Sequence, residues 1–238
     1  MIQVYSHATA WESALRCEER YFPDISEKLN RLRGGKDEVR IKQRWRADGK
    51  GGTKLGFGAS VYPASIVLAN FLVGKLEGKR IVEVGCGAGL ASITAAKSGA
   101  SYVVATDGDS QALDLSRENQ EINHVTSEIL KFELLLWGSR KDHERIRSMH
   151  GDFDVVIASD VAALVYGEDA MVQLIETFVA LCAPRSATLF FSFKKRLNES
   201  VEKTFWDLFR ERFDISMLPI EGDFKDDPTM GLCSCKLR

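Results

Sequence analysis

The chain has 238 residues, of which 45% are hydrophobic and 28% charged, as expected for one globular α/β domain with a sizeable core. Its 32 basic and 34 acidic residues give a formal net charge of −2, which provides no overall basic field for nucleic acid. No apolar run approaches the roughly 18 residues that would span a bilayer. We therefore expect neither a nucleic-acid partner nor a membrane.

The cysteines and the first residues bear on the cellular compartment. The chain has five cysteines but no Cys-x-x-Cys pair and no histidine cluster, so we expect no metal. Cys233 and Cys235 lie on one face of a predicted strand, too close in sequence for an ordinary disulfide. The N-terminus lacks a basic start followed by an apolar segment, which argues against secretion. We expect a reduced monomer in the cytoplasm, or also in the nucleus.

The N-terminal part shows two kinds of periodicity. Residues 9–33 carry apolar side chains at helical spacing with a break near Pro23, which predicts a helix that packs on the domain rather than a substrate-binding arm. Residues 39–45 alternate between one apolar and one basic face, as in a half-exposed strand. We assign residues 1–57 to an extension packed on a core domain of residues 58–238.

The central pattern is a short apolar strand over 80–84, a glycine-rich turn, a helix and a second strand. Gly85, Gly87 and Gly89 form the turn, and the second strand ends on Asp107. Glycines let the backbone approach a ligand closely, and the N-terminus of a helix offers free N–H groups to an anion. An acid at the tip of the second strand can accept both hydroxyls of a ribose. The pattern predicts a nucleoside-containing cofactor rather than a purely structural turn.

The loop also discriminates between nucleoside cofactors. Glu83 lies two residues before Gly85, and its carboxylate would repel the pyrophosphate of a dinucleotide. A cofactor with a free carboxylate and a free ammonium fits better, because the carboxylate meets N–H groups and the ammonium meets a carbonyl or an acid. S-adenosylmethionine has both groups. We expect Glu83, Gly85, Cys86, Gly87 and Gly89 to contact it.

The segment Glu83-Val-Gly-Cys-Gly-Ala-Gly-Leu90 resembles the first motif of class I methyltransferases. A glycine-rich approach, the pair Tyr62-Pro63 and an apolar helix before the first strand resemble the leader of family 16, the protein-lysine methyltransferases. The resemblance covers roughly residues 39–218. It implies an α/β fold, with a Rossmann-like, seven-stranded, mostly parallel sheet and helices on both faces.

The resemblance also implies roles for two aromatic residues. Tyr62 stands where the family has a tryptophan that contacts the cofactor, and both side chains are flat and amphipathic. Trp137 matches the family tryptophan that lines the adenine, although Leu136 replaces the acid that often precedes it. On aromatic statistics alone, Trp137 could equally be a core residue at a strand end.

The predicted strand over 154–160 ends where the sheet order reverses and ligands bind in such folds. The resemblance implies Ser159 beside the transferable methyl group and Asp160 at the substrate amine. Asp160 could instead be a helix-capping or turn aspartate. The family pattern Asp-x-x-Tyr reads Asp160-Val-Ala-Ala163 here, and Tyr166 follows about one helical turn later.

The remaining elements follow from periodicity and cap residues. We predict a helix with Ser110 as its N-cap through about Asn123, a strand with its exit over 132–138, a loop or short helix over 139–150, a helix over 168–182, a strand over 187–193, a helix from 198 or 200, and strands over 213–217 and 230–237.

These patterns predict an S-adenosylmethionine-dependent methyltransferase that methylates a lysine side chain of a protein, with Asp160 at the reacting amine. The stretch between Pro63 and Pro184 has no proline, so it lacks the Asn/Asp-Pro-Pro-Tyr-like segment of enzymes that methylate amide or exocyclic nitrogens. Two alternatives stay open. Ala163 in place of tyrosine suggests a catalytically idle cofactor-binding or interaction protein, and the glycine turn is compatible with a nicotinamide-dependent oxidoreductase.

Overall fold

A central sheet and its flanking helices position every candidate residue. The computed structural model describes residues 18–44, 56–161, 168–195 and 199–238. The strands are β1 (Glu19–Tyr21), β2 (Arg40–Lys42), β3 (Arg80–Val84), β4 (Tyr102–Asp107), β5 (Leu130–Leu134), β6 (Val155–Ser159), β7 (Thr188–Lys194), β8 (Phe213–Met217) and β9 (Met230–Leu237). The helices are α1 (Pro23–Arg33), α2 (Pro63–Leu72), α3 (Leu90–Lys97), α4 (Ser110–Ile122), α5 (Arg140–His150), α6 (Glu168–Cys182) and α7 (Glu199–Arg212).

The large sheet has seven strands in the order β5-β4-β3-β6-β7-β9-β8, which confirms the predicted fold class. β3 pairs in parallel with β4 on one side and with β6 on the other, while β9 runs antiparallel between β7 and β8. The chain therefore winds outward in both directions from β3. A doubly wound sheet has its ligand crevice at this reversal, beyond the carboxyl ends of the strands.

Two apolar cores cover the two faces of the sheet. Alternate residues of one strand enter different cores: Ile81 of β3 packs with helices α1 to α4, whereas Val82 packs with α5 to α7. The second core contains an aromatic cluster in which Phe209 lies 5.5 Å from Phe205 and 4.8 Å from Phe213, measured between ring centroids. Burial on both faces explains why the strands are continuous apolar runs.

The N-terminal extension corrects one prediction. Residues 19–21 form a strand rather than part of a helix, because β1 pairs antiparallel with β2 and so satisfies its backbone. Helix α1 connects these two strands, and we refer to the strand pair as the N-terminal hairpin. The helix prediction holds for Pro23–Arg33, where proline occupies the first turn. Residues 1–17 lie outside the described part, and so does Trp45 of the predicted second strand, which is observed over Arg40–Lys42.

Two further boundaries differ from their predictions. Asp109, not Ser110, caps α4, and its carboxylate accepts the Gln111 N–H at 2.9 Å. β5 is observed over Leu130–Leu134 and so begins two residues earlier than predicted, and Trp137 lies in the exit from the strand. The charged stretch after it was predicted as a loop or a short helix, and it is an eleven-residue helix with Ser139 as its N-cap.

Candidate active site

The crevice at the reversal of strand order is a cleft of about 790 Å³. The loop after β3, the tips of β4 and β6, and segments 58–62 and 135–137 contribute to its wall. Nine of the ten predicted site residues meet here. They are Tyr62, Gly85, Cys86, Gly87, Gly89, Asp107, Trp137, Ser159 and Asp160.

Glycine is required in the loop for both conformation and space. Gly85, Gly87 and Gly89 have φ angles of 73°, 51° and 86°, in the left-handed region that L side chains rarely adopt. A Cβ on Gly85 would lie 2.4 Å from Val161 Cγ1, and one on Gly87 would lie 3.1 Å from the Gly58 oxygen. The loop is therefore a shaped cradle, which fits the close approach of a nucleoside cofactor.

Asp107 joins the tip of β4 to this loop. Its Oδ2 accepts the Gly87 N–H at 2.9 Å, and its Oδ1 accepts the Asp109 N–H at 3.0 Å. Burial raises the pKa of Asp107 above its ordinary value, while these N–H donors act in the opposite direction. The carboxylate lies at the end of its strand, where a ribose can be bound.

Two buried side chains of α4 hold the loop from behind. Ser116 donates to the Gly87 oxygen at 2.7 Å, and Asn119 Nδ2 donates to the Ala88 oxygen at 2.9 Å. Because these carbonyls are engaged by α4, the loop conformation is fixed before a ligand binds. Neither residue was predicted from the sequence, although polar side chains within the apolar stripe of a helix could have indicated them.

Glu83 is the predicted site residue that the structure does not bring to the cleft. Its side chain is fully buried, and Ser92 of α3 donates to its carboxylate through the hydroxyl. Burial raises the pKa of Glu83 to about 8, although the Ser92 hydroxyl and N–H oppose the shift. Glu83 thus ties the start of α3 to the end of β3.

Asp160 follows β6 directly and has a φ of 58°, in the left-handed region that aspartate tolerates better than most residues. Its N–H donates to the Ser192 oxygen at 2.9 Å, and its Oδ1 accepts the Lys194 N–H at 3.4 Å. Strand β7 therefore fixes both the backbone and the carboxylate at the cleft. An observed backbone outlier at such a place is typical of functional sites.

The wall that contains Trp137 is anchored to α6. The Gly138 N–H donates to Thr177 Oγ1 at 2.9 Å, and His143 Nε2 lies 3.1 Å from the same oxygen. Burial lowers the pKa of His143. Gln173, which lines the cleft from α6, packs against Gly138. None of Thr177, His143 and Gln173 was predicted, because their contacts join distant parts of the chain.

The N-terminal hairpin holds the segment that crosses the loop. Arg20 donates to the Val61 oxygen at 2.8 Å, and Gln43 Oε1 accepts the Val61 N–H at 2.8 Å. The Arg44 N–H donates to the Ala59 oxygen at 2.9 Å. A Cβ on Gly58 would lie 3.6 Å from Gly87 Cα, so this segment passes directly over the glycine loop.

The described wall of the cleft is acidic. It carries the carboxylates of Asp107, Asp109 and Asp160, and no lysine, arginine or histidine is among its described residues. Such a wall suits a cationic ligand and disfavours a pyrophosphate.

Within residues 18–44, 56–161, 168–195 and 199–238, no group of three or more metal-ligating side chains occurs. No helix in this part of the chain is both long and apolar enough to cross a membrane.

Comparisons with known proteins agree with this architecture. A family model described as lysine methyltransferase matches residues 36–212. A ribosomal protein L11 methyltransferase of Thermotoga petrophila is 32% identical over 61% of this chain and 47% of its own length. A protein N-lysine methyltransferase of Danio rerio, METTL21A, is 29% identical over 74% of this chain and 75% of its own.

A solved structure shows the same fold at low sequence identity. The O-methyltransferase from Bacillus cereus in complex with SAH superimposes with a TM-score of 0.55, at 15% identity, over 98% of each chain. The chain spans less than half the length of several ribosomal protein L11 methyltransferases that it matches, between 38% and 47%.

Proposed function

Because this chain belongs to the lysine methyltransferase family, we propose that it transfers a methyl group from S-adenosylmethionine to the side-chain amine of a lysine in a protein. The family predicted from the glycine loop and its leader is confirmed. When bound, S-adenosylmethionine supplies an electrophilic methyl group. The protein then has to align an amine with that group and exclude water. A monomer in the cytoplasm or nucleus remains a prediction.

The cleft residues divide among four parts of the methyl donor: the amino-acid end, the ribose, the adenine and the reacting methyl group. The loop from Gly85 to Gly89 would hold the amino-acid end, and Asp107 would hold the ribose. Trp137 and the neighbouring Leu136, which is 54% exposed, would cover the adenine. Glu83 would support the loop from behind rather than touch the ligand. This division leaves Tyr62, Ser159 and Asp160 for the reacting end.

The observation that carries the proposal is the fixed carboxylate of Asp160 in a cleft whose described wall has no cation. A lysine amine has an unperturbed pKa near 10.4 and must lose a proton before it can attack. An anchored carboxylate attracts the ammonium form and can orient the amine or accept its proton. Ala163 and Tyr166 lie outside the described residues.

The similar proteins favour a protein as the acceptor. The Danio rerio relative is named for lysines in proteins, and the Thermotoga petrophila relative for a ribosomal protein. Both names therefore give a protein substrate, although the chain spans only 47% of the latter. The acidic wall adds a physical reason to expect a cationic side chain.

The test separates binding from transfer. The purified chain is titrated with S-adenosylhomocysteine in a calorimeter, and then incubated with S-adenosylmethionine carrying a labelled methyl group and a cell lysate. We expect a dissociation constant near micromolar, about −8 kcal/mol, and label on lysines of one or a few proteins.

The variant Asp160→Asn tests the role of the carboxylate, because asparagine has nearly the size of aspartate and also tolerates a left-handed backbone. It should slow transfer by about 100-fold or more and leave the affinity for S-adenosylhomocysteine within about twofold.

Asp114→Asn, on the exposed surface of α4, is the control and should change neither quantity. Binding without transfer to any protein would favour the idle alternative. Failure to bind S-adenosylhomocysteine would remove the methyl donor from the proposal. Full transfer by the Asp160→Asn variant would remove Asp160 from the reacting centre.

A further inference from the structure

One buried hydroxyl in the cleft wall has no partner. Ser60 is only 5% exposed and lines the cleft, yet within the described chain its Oγ makes no hydrogen bond. A buried hydroxyl that has lost water without gaining a partner is unfavourable. The same condition holds for Thr94 Oγ1, but Thr94 lies in α3 and does not line the cleft. Of these two hydroxyls in the described part of the chain, Ser60 is therefore the one that a ligand of this site can satisfy.

The position of Ser60 in the chain indicates which end of the methyl donor its side chain contacts. Ser60 is two residues from Gly58, whose backbone passes over Gly87 in the glycine loop. Ser60 therefore lines the same cleft as the loop that would hold the amino-acid end of the methyl donor, on the segment that passes over this loop. A serine side chain changes between staggered χ1 rotamers without backbone movement, so the hydroxyl can turn into the cleft.

The charges of the cleft wall indicate which group of the methyl donor the Ser60 hydroxyl contacts. The amino-acid end of S-adenosylmethionine carries one ammonium and one carboxylate. The described wall offers three carboxylates to cations but no cationic side chain to an anion. Within the described wall, the donors for this carboxylate are therefore neutral, namely backbone N–H groups and hydroxyls. Ser65, another serine of the wall, already donates its hydroxyl proton to the Tyr62 oxygen at 2.8 Å.

We propose that the Ser60 hydroxyl donates a hydrogen bond to the carboxylate of the methyl donor. The inference rests on the proposed function, because it takes S-adenosylmethionine as the ligand. It adds a binding residue that neither the glycine loop nor the family resemblance indicated. A hydrogen bond to a charged group that forms only in the complex contributes to affinity and not to the stability of the unliganded chain.

Two ligands that differ only in the carboxylate test the assignment. S-adenosylmethionine and decarboxylated S-adenosylmethionine are titrated into the wild type, Ser60→Ala and Thr94→Val by calorimetry. Ser60→Ala should bind S-adenosylmethionine about tenfold more weakly and bind the decarboxylated form within about twofold of the wild type. Thr94→Val, which removes the other unpartnered hydroxyl, should change neither affinity.

Thermal unfolding without ligand supplies the second readout. Neither variant should melt below the wild type, because each removes a buried hydroxyl that has no partner. Equal weakening of both ligands by Ser60→Ala would show that the hydroxyl meets another part of the donor, and would overturn the assignment. Unchanged binding of S-adenosylmethionine would do the same. If the wild type binds neither ligand, the proposed function itself fails.

Discussion

At the scale of single residues, the buried carboxyl of Glu83 makes stability depend on pH. Its pKa is raised to about 8 by burial, whereas the ordinary value is 4.5. Between these two values the folded chain keeps a proton that the unfolded chain has lost. The contribution of Glu83 to stability is therefore complete below about pH 4.5 and is lost as the pH rises through about 8.

Glu83→Gln should remove this pH dependence. The amide is neutral at every pH and can still accept the hydroxyl of Ser92. Relative to the wild type, the variant should gain free energy of unfolding as the pH rises from about 5 to about 8, by at most about 1.4 kcal/mol per unit. Urea unfolding at several pH values measures the difference between the two proteins. A difference that stays constant over this range would show that Glu83 is ionised in the folded chain.

At the scale of elements, α4 joins the N-terminal hairpin to the glycine loop. Asn119 accepts the Lys42 N–H at 2.7 Å and donates to the Lys42 oxygen at 3.1 Å, while it also donates to the Ala88 oxygen. One turn later, Asn123 makes the equivalent pair of bonds to Arg40, at 3.0 Å and 2.6 Å, but does not bond to the loop. The two asparagines thus form a matched pair.

Asn119→Ala and Asn123→Ala should separate stability from binding. Each leaves backbone groups of β2 without partners, so each should lower the free energy of unfolding by about 1–3 kcal/mol. Only Asn119→Ala also releases the Ala88 carbonyl, so only this variant should bind S-adenosylhomocysteine several-fold more weakly. Urea unfolding and calorimetry measure the two effects. Equal affinity in the two variants would mean that the loop keeps its conformation without α4.

The sequence predicted those elements whose evidence is local. The strand, glycine turn, helix and strand around Gly85 follow from neighbouring residues, and the tip of β6 with Asp160 follows from the order of the sheet. The strand at 19–21 was missed because its hairpin partner, not its own periodicity, determines it. Asn119 was missed for the same reason, since its partner Lys42 is 77 residues away. Contacts of this kind, between residues far apart in the chain, arise from packing and cannot be recognised from the local pattern of a single sequence.

At the scale of the whole molecule, both cores reach the cleft wall, but the aromatic cluster around Phe209 contributes no residue to its described part. Gln43 is 4% exposed and holds the Val61 N–H of the segment over the glycine loop. Phe209 is fully buried in the aromatic cluster. A substitution at either position should lower the stability of the one cooperative unit, but only the substitution of Gln43 should also weaken ligand binding, because Phe209 does not line the cleft.

Gln43→Leu and Phe209→Leu test this separation. Each should lower the free energy of unfolding by about 1–3 kcal/mol, the first through an unpartnered N–H and the second through lost packing. Gln43→Leu should also weaken S-adenosylhomocysteine binding, because Val61 precedes Tyr62 in the cleft wall. The folded fraction of Phe209→Leu should bind with wild-type affinity. If both variants lost affinity to the same degree, the two cores would be coupled through the sheet, and the site would depend on the stability of the whole domain rather than on the hairpin.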